Sequence, residues 1–169
     1  MAESSKDQIA PKTDVVNPVA GVLRAAGYER KGLRWRRLWP DATGVVDLSR
    51  SRFGPQYYLE LGVVIAGVEP AREGWFGTEK CHMWTRAERL LPVAERAWAE
   101  SLLALDSGLG AEARARDLES LLVRTVIPYH LARSTIGGIR DVVTSVQGSE
   151  LLRYGTRAFF GMPPAEPRP

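Results

Sequence analysis

Early in the chain apolar residues recur at three- and four-residue spacing. Val19, Val22, Leu23 and Ala26 then share one face of a helix expected from about Val15 to Ala26. Thr13 or Asp14 is placed to cap it, and Gly27 to stop it. Pro18 falls in the first turn, where a missing N–H does little harm. The period then changes to two. In "LRWRRLW" (33–39), Leu33, Trp35 and Trp39 project to one side and Arg34, Arg36 and Leu38 to the other, with Arg37 breaking the pattern. After the turn cluster "PDATG", "VVDLSRS" alternates Val46, Leu48 and Arg50 against Val45, Asp47, Ser49 and Ser51. "FGP" turns the chain into "QYYLELGVVIAGV", rich in aromatic and β-branched residues. Three successive strands with tight turns predict an antiparallel meander rather than βαβ units.

Further on, "EPAREGWFGTEK" (69–80) is a loop with two glycines and a proline, and "CHMWTRAERLL" returns to a strand-like or irregular segment. Residues 93–105 admit two readings. Val93, Ala97, Ser101 and Leu105 fit a helical stripe, whereas Trp98 and Leu102 fit an edge strand. From Gly110 the period is helical, with Ala115, Leu118, Leu121, Leu122, Thr125, Val126 and Tyr129 on one stripe and Glu112 and Arg116 spaced as an ion pair outside it. Pro128 is expected to kink or end that helix. Ser134 or Thr135 caps another, with Ile139, Val142, Val143 and Val146 inward and Gly148 as its stop. No internal repeat is present.

Composition narrows the class. With 169 residues, 44% hydrophobic and 25% charged, the chain fits one ordinary domain with a real core. No apolar run approaches the ~20 residues of a membrane span, and the polar start "MAESSKDQIAPKTD" lacks the order of a signal peptide. Cys81 is the single cysteine, which excludes an internal disulfide. A cytoplasmic protein is expected. The net charge is +3, but Arg24 to Arg52 holds eight bases against Glu29, Asp41 and Asp47, so this segment is +5 and the remainder −2. Only Lys6, Lys12, Lys31 and Lys80 are lysines among the 23 bases. That bias suits guanidinium recognition and is equally what a G·C-rich genome would produce.

Candidate chemistry is sparse. Cys81 and His82 are the only cysteine–histidine neighbours, and a histidine can turn a thiol into a nucleophile. Neighbours on a strand point to opposite faces, so the expectation is a buried Cys81 and a surface His82. With His130 the only other histidine, the ligands for zinc are not supplied, and no metal or cofactor is expected. Asp47 and Glu60 lie on adjacent predicted strands and could share a proton if they face the same way, but nearby Arg34, Arg36 and Arg50 favour ion pairs. The glycines of "GVVIAGVEPAREGWFG" lack phosphate-loop order. "IGGI" (136–139) could hold an anion at a helix start, or permit a close approach by being small.

Several of these segments, in this order, resemble the bacterial family catalogued as domain of unknown function 4304. They are the glycine–aromatic pair Gly27-Tyr28 after a helix, a strand around Trp35, the turn Ser51-Arg52-Phe53-Gly54, Leu61-Gly62 at the end of a strand, and Cys81-His82 with Arg86 downstream. The resemblance covers roughly residues 15–147. It departs at Ser49, where the family usually has glutamine, and at Glu60, where it has asparagine; a site formed by those polar groups in relatives is altered here. The resemblance implies an α+β fold, an antiparallel meander of about four strands packed against an N-terminal helix and C-terminal helices. It favours a strand around Trp98, and it implies an immunity-type role near bacterial toxins. The organisation expected is a disordered lead-in (1–13), a single α+β domain (14–147), a C-terminal extension (148–161) and a disordered Pro-rich tail (162–169).

Function is expected to be binding rather than catalysis. Arg34, Arg36 and Arg50, with Glu60 among them, form the candidate face for an acidic protein partner. Nucleic acid is the alternative, weakened because Trp35 and Trp39 point away from the arginines and cannot stack on bases. A hydrolase or transferase using Cys81 or the Asp47/Glu60 pair is the third reading.

Overall fold

The computed structural model describes residues 9–145, 151–153 and 155–164. Helix α1 (Thr13–Ala25) buries Val15, Val16, Val19, Ala20 and Leu23. It starts without a side-chain cap. At its end the Gly27 N–H bonds Arg24 O and the Tyr28 N–H bonds Leu23 O, the paired closure that needs a left-handed residue, and Gly27 supplies φ +83°. The chain then runs as a meander, β1 (Glu29–Lys31), β2 (Arg34–Leu38), β3 (Ala42–Arg50), β4 (Tyr57–Ile65) and β5 (Met83–Arg86). A two-residue strand, β6 (Leu151–Leu152), joins at the β5 edge, so six described strands lie in sequence order, all antiparallel. The α+β architecture matches the expected one, with β1 and β6 extending the meander at its two edges.

One face of the sheet carries the main core. Trp35, Val46, Leu48, Leu59, Leu61 and Val63 point into it and meet α1 and the later helices. Trp35 is wholly buried, whereas Leu33 is exposed and Trp39 half-buried, because both lie just outside β2. Residues 93–103 form a helix, α2 (Val93–Leu103), and not the edge strand that the family pattern favoured. The edges of β3 and β4 are already taken by β2 and β5, and Ala99, Leu102 and Leu103 bury as one helical stripe.

Helix α3 (Ala111–Leu121) runs through a π turn (Leu122–Val126) into α4 (Ile127–Leu131). Pro128 has no N–H to continue the ladder, and widening the preceding turn accommodates its ring without ending the helix. Arg116 pairs with Asp117 rather than with Glu112. Thr135 caps α5 (Ile136–Thr144), its hydroxyl accepting from Gly138 N at 3.1 Å, and Ile139 and Val143 are buried. The short helix α6 is Thr156–Phe159. Val146 and Gly148 lie outside the described residues, as do residues 1–8 and 165–169 of the two expected disordered ends.

Candidate functional site

The second face of the sheet carries the predicted site residues, and it is not open. Pairing in register places Arg34 opposite Asp47, Arg36 opposite Val45, and Asp47 opposite Glu60, which in turn faces Arg86. Paired residues share a face, so Arg34, Arg36, Asp47, Glu60 and Arg86 stand together. Arg50 does not join them. It lies three residues beyond Asp47, an odd step, which sends it to the opposite side beside Tyr57. The expected face of Arg34, Arg36 and Arg50 is corrected accordingly.

The loop after β4 folds across this face as a roof. Phe76 and Cys81 form a small second core with Val45 and Val64. A 3₁₀ turn, Thr78–Lys80, pins the loop to the two carboxylates. The Thr78 N–H donates to Asp47 Oδ2 at 2.9 Å and its hydroxyl to Glu60 Oε2 at 2.9 Å. Asp47 also receives Arg34, Nε to Oδ1 at 2.6 Å and Nη2 to Oδ2 at 3.3 Å. This hydrogen bond holds Arg34 above the ordinary guanidinium range. Arg36 bonds Glu29 and the Gly74 carbonyl and lies 4.4 Å from the Trp75 ring centre. The side chains of Arg34 and Arg36 keep 34% and 19% of their exposure. Asp47 and Glu60 do face the same way, and they serve as anchors of a roof.

His82 is buried, not on the surface as its alternation with Cys81 suggested. β5 begins only at Met83, so Cys81 and His82 lie outside the regular alternation. His82 Nδ1 accepts from the Ile65 N–H at 2.9 Å, which leaves Nε2 to donate to Pro70 O at 3.1 Å. Burial lowers its pKa and raises that of the Cys81 thiol well above its usual range. Cys81 touches the Gly77 carbonyl at 3.8 Å and lies so close to Gly62 that any Cβ there would overlap its sulfur.

Sequence reasoning left His130 without a role. It is buried in the main core, with Nε2 donating to Gly62 O at 3.1 Å and the Tyr28 hydroxyl donating to Nδ1 at 2.8 Å. Desolvation pushes its pKa down to about 3. Gly44 makes room for the ring, since a Cβ there would stand 2.9 Å from His130 Cγ. The aromatic of Gly27-Tyr28 and the glycine of Leu61-Gly62 thus meet at one imidazole. Arg114 was also missed. Wholly buried, it bonds Leu102 O at 2.6 Å and Ala104 O at 2.8 Å, closing the end of α2. "IGGI" needs no anion: the Ile136 N–H bonds Asp41 and the Gly138 N–H bonds Thr135, and a Cβ on Gly138 would overlap Ala132 O.

Beyond the roof, the outer face continues on β4 and β5 as an arginine–aromatic cluster. Arg86 lies 4.2 Å from the Tyr58 ring centre and 6.0 Å from that of Trp84. Arg89 and Arg153 lie 5.5 Å and 5.2 Å from Trp84. Arg153 also donates to the carbonyls of Thr78 and Glu79, tying the segment after β6 to the roof. No charge pattern in one segment revealed this group, because its members come from three separate stretches of chain.

Among the described residues no group of three or more histidine, cysteine, aspartate or glutamate side chains could hold a metal ion. No helix among them is long and apolar enough to cross a membrane. No curated protein and no solved structure matches the chain. The family model described as Domain of unknown function (DUF4304) matches residues 19–130, a span that includes the sheet through β5, the roof and the Tyr28–His130 pair. With more than half of its length matched, the chain belongs to the DUF4304 family.

Proposed function

We propose that this domain acts by binding, and that it recognises an acidic protein surface with the arginines of the outer sheet face. The observation that carries the reading is the set of guanidinium groups within 4.2–5.5 Å of aromatic ring centres, Arg36 by Trp75 and Arg86, Arg89 and Arg153 around Tyr58 and Trp84. A guanidinium held beside a ring loses less conformational freedom when it binds a carboxylate. Of the other members of the candidate face, Arg34 and Glu60 are engaged at the roof's anchors and Arg50 lies on the opposite side of the sheet. The groups suited to acid–base or nucleophilic work are spoken for: Asp47 and Glu60 anchor Thr78, and Cys81 is buried with a raised pKa. An immunity-type inhibitor of an acidic toxin is the finer form of this reading, and a toxin gene beside this one would support it.

The test is affinity capture from the source lysate, identification of the captured protein, and titration of the purified pair. Arg86→Glu with Arg89→Glu is expected to weaken binding at least about tenfold, mostly through slower association at low salt. Unchanged affinity would remove these arginines from the interface. A gel shift with DNA or RNA that fades steeply with salt would favour nucleic acid instead.

A further inference from the structure

Away from the arginine cluster, a projecting aromatic turn and a neighbouring hollow carry opposite charge. The first is the β3–β4 hairpin tip. Phe53 is 98% exposed, the largest exposure of any large apolar residue described. Its turn is set by Ser51 Oγ, which accepts from the Phe53 N–H at 3.1 Å, and by the Ser51 N–H bonded to Gln56 O at 2.7 Å. Arg50 and Arg52 beside it are exposed, and residues 48–58 contain no acid.

The second feature is a hollow of about 510 Å³ between the chain before α1 and the α2–α3 connection. Its walls include Ile9, Pro11, Leu105 and Leu109, and its carboxylates are Asp14 and Asp106. Arg114, behind the wall, is turned to the carbonyls of α2 and to Ser107 Oγ, and it lies near enough to Asp14 to offset part of that charge. Asp106 is exposed. The hollow has room for a phenyl ring, with Ile9, Pro11, Leu105 and Leu109 as its apolar wall.

Leu105 joins the two. Its N–H bonds Pro55 O at 2.8 Å in the hairpin, and its carbonyl accepts from the Ala10 N–H at 2.7 Å beside the hollow. The knob and the hollow therefore sit side by side on a common support, while Phe53 itself lies open to solvent. We infer that a second copy of this chain is the occupant: Phe53 of each protomer enters the hollow of the other, with Arg50 and Arg52 against the carboxylates at its rim. A two-fold arrangement needs this reciprocity, since what one protomer offers the other must receive.

Sedimentation equilibrium of the full chain from about 1 to about 100 µM tests it. The expected result is a mass rising toward twice that of the chain. Phe53→Ser is expected to weaken association at least about tenfold, and Asp106→Arg to do the same by setting like charges together. Both positions are exposed, and unchanged circular dichroism would show that the variants fold. The combined Arg52→Asp and Asp106→Arg variant is expected to recover the dimer. A chain that stays monomeric throughout, a dimer indifferent to Phe53→Ser, or a charge swap that restores nothing would each overturn the inference.

Discussion

His130 is neutral in the folded protein because its surroundings offer a donor and an acceptor and almost no water. Its folded pKa of about 3 lies below the ordinary 6.5. Between those values the unfolded chain binds the extra proton, so stability is complete above about pH 6.5 and falls as pH drops toward 3. At ~1.4 kcal/mol per unit, His130 alone removes about 2 kcal/mol between pH 6.5 and 5. Buried His82, also lowered, acts in the same direction. Urea melts across that range check this, and a flat profile would contradict the assigned neutral imidazole. Tyr28→Phe leaves Nδ1 without its donor and is expected to cost about 1–3 kcal/mol in the same melts. Cys81 gives a second check at this scale. Buried with a raised pKa, it is expected to resist a thiol reagent in the native state and to react at once in denaturant.

At the scale of elements, the polar anchor of the roof centres on one carboxylate. Asp47 holds both Arg34 and the Thr78 N–H. Asp47→Ala is expected to speed amide exchange in residues 66–82 by about tenfold or more, with β3 and β4 little changed. Equal loss throughout the sheet would mean that the roof and sheet unfold together. Helix α2 depends on Arg114 in the same way, because two of its last carbonyls bond that guanidinium. Arg114→Leu is expected to destabilise by about 1–3 kcal/mol, read from the midpoint of a denaturant curve. Both elements show where local pattern reaches its limit. β2 to β4 were legible because alternation and turn residues act over a few positions. Residues 93–105 were not, since their apolar positions fit either period and the occupied edges of β3 and β4 decided the matter.

Across the whole molecule, the segment after residue 150 matters more than its length suggests. β6 covers the outer edge of β5, the Arg153 N–H and the Thr156 hydroxyl both bond His82 O, and Arg153 reaches the roof. A chain ended at residue 147 is expected to melt earlier, by roughly 2–4 °C for each kcal/mol lost, and to associate through the bared β5 edge. Light scattering during a thermal melt would show both; an unchanged profile would make the segment dispensable.

What the sequence by itself determined was short in range: the first helix and its glycine stop, the strands and their turns, the burial of Trp35, and the placing of Arg50 on the other side of its strand from Asp47. Each follows from the period of the chain and the stiffness of the backbone. The tertiary structure alone decided which face of the sheet is roofed, that Asp47 and Glu60 face the same way, that Tyr28 meets His130 across 102 positions, and that three distant stretches place their arginines and rings together. Side-chain alternation gives two faces but does not say what covers either one. That is settled by how a loop and the later helices pack, through contacts between residues the sequence keeps far apart.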